Sequence, residues 1–188
     1  RVYGLTASWS ISQPRYTVPP PSTFNVAVTT FESTAAISVT LPPSASNLYS
    51  MFGTAAAPMS FPPATQMATG SNLGPPIVIN VPGQGNINED DSWLTIGDPV
   101  PAGNQLESVG LSFNTWTTTS QLSSSNGAVI LMTPTNLPSG TVKLAQLNTG
   151  NGNFTATFNL QGKSASGIDW RVYGLTASWS ISQPRYTV

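Results

Sequence analysis

The chain predicts an all-β fold, an antiparallel β-sandwich of jelly-roll kind with roughly eight to ten strands and one long proline-rich loop. Three observations carry this. Apolar and polar residues alternate with a period of two, most clearly where Tyr173, Leu175, Ala177, Trp179 and Ile181 are interleaved with Gly174, Thr176, Ser178 and Ser180. No window sets apolar residues at helical spacing over three turns. The 188 residues include 16 Gly and 17 Pro beside abundant Ser, Thr and Asn, a composition of many turns.

The strand Tyr173–Ile181 is stopped by Pro184, whose ring nitrogen has no hydrogen for a ladder. Its surroundings, Arg171 to Val188, recur without change as Arg1 to Val18. Independent copies drift apart, so full identity points to an engineered extension or to a tandem array cut out of register. A sheet has one slot for this strand, so the second copy is expected to pair elsewhere, with a neighbouring molecule for instance, or to stay loose. Tyr173, Leu175, Trp179 and Ile181 are therefore the expected assembly residues. Pro19-Pro20-Pro21 reads as a stiff spacer and residues 19–23 as a hinge, leaving 24–188 as one sandwich domain.

Along that domain, Phe24, Val26 and Val28 alternate with polar or small residues, as do Ile37, Val39 and Leu41, giving two strands joined near Glu32-Ser33-Thr34. From Pro42 to Pro76 the periodicity fades, and a long irregular connection is expected there. Its apolar residues Tyr49, Met51, Phe52, Met59 and Phe61 either pin it to the sheet or meet a partner. Further strands are expected at 77–81, 93–96, 107–118, 128–132, from 142 and from 154 to 160. Asn126-Gly127 is a hairpin signal. Ala128–Met132 is apolar without alternation, which suggests cover on both faces.

Charged residues make up 7% of the chain and the net charge is −1, so direct nucleic-acid binding is not expected. No apolar run is long enough to span a membrane as a helix. There is no Cys and no His, which removes disulfides, thiolate sites and the usual general base. Glu89, Asp90 and Asp91 form the one acidic cluster and offer oxygen ligands to a hard cation such as Ca²⁺, although the spacing is not that of an EF-hand; a solvated turn is the plainer reading. Glu89, Asp91, Asp98 and Glu107 supply carboxylates for glycoside chemistry, but nothing places two across one cleft. Trp93 and Trp116 are candidates for stacking on a sugar or anchoring a protein, against core packing as the alternative. No enzymatic activity is expected.

Val109-Gly-Leu-Ser-Phe-Asn-Thr-Trp-Thr-Thr-Thr-Ser120 followed by Gly127-Ala-Val-Ile-Leu-Met132 and Pro134 resembles a strand–turn–strand unit of coat proteins from small non-enveloped icosahedral RNA viruses. The ending from Trp170 to Pro184 is similar to their last long strand, and Leu48–Thr54 to a stretch of nodavirus coats. The resemblance implies a capsid shell or protruding spike domain, on a virion or otherwise extracellular, that self-assembles and attaches to a host receptor or glycan. The basic arm of such coats and the Asn-Ala bond at which insect members cut themselves do not occur in this sequence. The runner-up reading is an extracellular carbohydrate-binding or adhesin module, from an array repeating every 188 − 18 = 170 residues.

Overall fold

The computed structural model describes residues 23–67, 72–76, 79–81, 85–87, 89–133, 136–150 and 152–180. The first copy of the repeated stretch, most of the hinge, and Ile181 with the residues after it lie outside that set. The described chain forms thirteen strands: β1 (Asn25–Phe31), β2 (Thr34–Thr40), β3 (Asn47–Phe52), β4 (Met59–Phe61), β5 (Ile79–Val81), β6 (Gly85–Ile87), β7 (Trp93–Leu94), β8 (Leu106–Val109), β9 (Leu122–Ser124), β10 (Ala128–Leu131), β11 (Thr141–Asn148), β12 (Phe154–Lys163) and β13 (Asp169–Trp179). Four of them make one antiparallel sheet, in the order β1-β2-β11-β7. Seven make a larger one, in the order β8-β10-β3-β12-β4-β9 with β13 alongside β12. Among the described residues β5 and β6 pair only with each other. The two main sheets pack face to face as a β-sandwich.

Alternation built this core as expected where it was unbroken. In β2, Ala35, Ile37 and Val39 are buried, and in β12 so are Phe154, Ala156, Phe158 and Leu160. With Leu144 and Leu147 of β11, Leu48 and Met51 of β3, and Val129 and Leu131 of β10 they form one apolar cluster between the sheets. Each of these side chains larger than Ala contributes about 1.5–3 kcal/mol by leaving water. Phe61 stacks parallel to Phe158 at 6.2 Å, and Phe24 tilts onto Trp170 at 5.2 Å, closing the end where β13 begins.

Four expectations need correction. The segment 42–76 is not one loop, because it holds β3 and β4, and β3 is an interior strand bonded to both β10 and β12. Its alternation is broken by an irregularity opposite Gln161 and Gly162: Leu48 and Met51 point inward, while Tyr49 stays half-buried with Gln161 and Asp169 as polar partners. The strand expected over 107–118 stops at Val109. Gly110 turns the chain at φ +65°, and a 3-10 turn follows at Phe113–Thr115. β13 changes face midway. Trp170 and Val172 are buried, then Leu175 and Ala177, with the pair Tyr173-Gly174 set against the single residue Asn159. This is a bulge, and Gly174 at φ +68° is its left-handed residue. Tyr173 therefore lies outside the core, half-buried, its ring edge-on to Phe52 at 5.7 Å. Ala128–Leu131 also alternates, with Ala128 and Ile130 only half-buried.

Candidate functional site

The outward face of the larger sheet carries a connected set of polar and aromatic side chains. Strand pairing aligns Glu107, Ile130, Ser50, Gln161 and Arg171 in one row across β8, β10, β3, β12 and β13. Within it the Arg171 Nε donates to Gln161 Oε1 at 2.9 Å, and the Gln161 amide donates to the Tyr49 hydroxyl. Tyr49 donates in turn to Asp169 Oδ1 at 3.1 Å, which also receives Lys163 Nζ at 2.9 Å. The Arg171 guanidinium sits 5.7 Å from the centre of the Phe52 ring, a cation–π distance. Beside this network lies a groove of about 330 Å³, lined by Phe52, Arg171, Gln161, Ser50, Asn126 and Val109 among others.

One residue under the face organises it. Asn159 is buried, and its Nδ2 donates to the Phe52 and Ala57 carbonyls at 2.8 and 2.7 Å while its Oδ1 accepts the Gly174 amide at 2.9 Å. Those bonds tie the bulge of β13 to the end of β3 and so fix Phe52 beside Tyr173. The sequence signal for this was a glycine, Gly174, standing inside an alternating strand.

In the acidic cluster Glu89 and Asp90 are exposed in a turn, while Asp91 turns inward. Asp91 is 1% exposed, and its carboxylate accepts the backbone amides of Met67 and Ser92, both at 2.9 Å. Asp90 takes the Ser33 hydroxyl from the β1–β2 turn. The carbonyls of Glu89 and Asp91 receive the Gln146 amide, and that of Asp90 receives Asn148. Among the described residues no group of three or more acidic side chains is placed to hold a metal ion. The turn pins β7 to β11.

Trp93 and Trp116 are 2% and 1% exposed, so neither ring offers a stacking face. Trp116 is a core residue between Phe61 and Phe113, with Nε1 donating to the Pro62 carbonyl at 2.7 Å. Trp93 lies apart from the main cluster under Lys143, whose Nζ is 4.4 Å from the ring centre and is held by Asp98 at 2.9 Å. Glu89, Trp93 and Asp98 do share a small cavity of about 170 Å³ with Lys143, Gln146, Pro75 and Pro76. Asp91 and Glu107 do not reach it. Of the assembly residues, Leu175 is buried in the sheet and Trp179 is half-buried at its end. Asn153, which opens the one glycosylation sequon, is exposed. No helix among the described residues is long and apolar enough to cross a membrane.

No family model, curated protein or solved structure matches the chain.

Proposed function

We propose that this domain is a non-enzymatic structural module that self-associates and attaches the resulting assembly to a surface. The position of β13 carries the reading. This strand of eleven residues runs along the rim of the larger sheet, and among the described residues β12 is the one strand it pairs with. A rim strand presents unpaired N–H and C=O groups that another chain can join. Nine of its residues, Arg171 to Trp179, have an identical counterpart in Arg1 to Trp9.

The short turn Ser164–Ile168, closed by the Ser164 amide on the Ile168 carbonyl at 2.9 Å, holds β13 at high local concentration against β12. The other copy therefore competes poorly for the slot and is left for a rim. When that rim belongs to another molecule, subunits join head to tail. The sequence resemblance to icosahedral virus coats supports a shell or spike on a virion as the setting for such joining.

The test is light scattering across a concentration series. The full chain is expected to grow in mass with concentration, and Leu5→Lys with Trp9→Lys, which charges the repeated copy alone, to stay monomeric. A monomer at every concentration, or association indifferent to those changes, would contradict the proposal.

A further inference from the structure

We infer that the groove on the outer face of the larger sheet binds a saccharide bearing a carboxylate. The inference gives the attachment half of the proposed function a ligand class, and it stands or falls separately from the assembly half. At about 330 Å³ the groove falls at the small end of ligand sites, which run from roughly 300 to 1,000 Å³. That size suits one or two sugar rings rather than a folded partner.

The lining matches a sugar in three respects. Phe52, under the Arg171 guanidinium, supplies an aromatic wall against which the C–H groups of a sugar ring can pack. Ser50, Thr54 and Asn126 supply hydroxyl and amide groups of mixed donor and acceptor character, which hydroxyls need on both counts. Arg171 is the one charged residue among the ten that line the groove, in a chain whose net charge is −1. The site is thus locally cationic, and a guanidinium takes a carboxylate as a planar pair.

The cation is also positioned. Gln161 fixes its Nε, Phe52 lies beneath it, and Gln161 is itself held by Tyr49. Nearby carboxylates do not oppose an acidic guest. Asp169 is engaged by Tyr49 and Lys163, and Glu107 lies four strand spacings along the row, about 19 Å away.

Calorimetric titration of the full chain tests this. The probes are sialyllactose, a glucuronate-terminated disaccharide and tetragalacturonate, each against its uncharged counterpart: lactose, the reduced sugar and the methyl ester. At least one acidic probe is expected to bind about tenfold or more tightly than its neutral partner. Arg171→Gln removes that preference and Arg171→Lys keeps part of it, while circular dichroism shows the fold unchanged. Phe52→Ala weakens acidic and neutral probes alike. Equal binding of charged and neutral sugars, no binding of any probe, or a preference that survives Arg171→Gln would overturn the inference. So would an acidic peptide such as tetraglutamate binding as tightly as the sugars.

Discussion

Leu5 and Leu175 have the same nine-residue setting, Arg-Val-Tyr-Gly-Leu-Thr-Ala-Ser-Trp, yet they are expected to respond oppositely to truncation. Leu175 is 4% exposed and stands opposite Phe158 in the β12–β13 ladder. Replacing it by Ala removes three carbons from the closed apolar cluster, and such changes cost about 2–5 kcal/mol, the larger values where the cavity does not collapse. Leu175 sits just past the bulge, in a stretch held by nine paired positions, so little collapse is available and about 3 kcal/mol is expected. For a domain of this size 1 kcal/mol moves the midpoint by about 2–4 °C, so the loss amounts to roughly 6–12 °C. Leu5→Ala is expected to stay within about 0.5 kcal/mol, as for a surface change. Scanning calorimetry of the two variants at low protein concentration reads the difference. Equal losses, or a larger loss for Leu5→Ala, would refute the single-slot argument, because identical sequences would then be sharing or exchanging the place beside β12.

Three other outcomes follow from the geometry. Asn159→Ala removes three hydrogen bonds, to the half-buried Phe52 and Ala57 carbonyls and to the Gly174 amide, and at about 1 kcal/mol each should cost about 3 kcal/mol by urea unfolding, with the near-ultraviolet signal of Phe52 and Tyr173 altered as the bulge loosens. Trp116→Phe should cost about 1–2 kcal/mol more than Trp93→Phe, since the former abandons the Pro62 carbonyl. The indole nitrogen of Trp93 is buried with no hydrogen-bond partner among the described residues, so its loss forfeits no bond. Asp91→Ala leaves the Met67 and Ser92 amides unmet and should cost about 3 kcal/mol, whereas about 1 mM Ca²⁺ should leave the unfolding midpoint of the native chain in place. A rise of several degrees with Ca²⁺ would restore the acidic turn as a cation site.

The sandwich was legible because Ile37-Ser-Val39, Phe154-Thr-Ala-Thr-Phe158 and Leu175-Thr-Ala177 alternate without interruption, and a period of two admits one reading. It failed where the backbone slips by one residue. The irregularity in β3 hid an interior strand inside an apparent loop, and the bulge at Gly174 moved Tyr173 to the outer face. Both slips lie beside glycines, Gly162 and Gly174, which the sequence displays. At Gly162 a Cβ would meet the Asn47 carbonyl at 1.9 Å and the Trp170 ring at 2.5 Å, a close approach that composition alone does not reveal. The outer groove was invisible for a related reason. Ser50, Asn126, Gln161 and Arg171 come from four separate stretches and meet only through strand register. The acidic cluster was conspicuous in the sequence, but a carboxylate spent on two backbone amides looks no different there from one awaiting a cation.

The most direct test of assembly through the β13 rim is amide exchange read by NMR, which resolves the two identical copies, on dilute and concentrated samples of the full chain. Protection is expected to rise with concentration at alternate amides of Arg171 to Trp179, those turned away from β12, while β8 at the opposite rim stays constant. Protection unchanged by concentration, or gained at β8 and not at β13, would contradict the account.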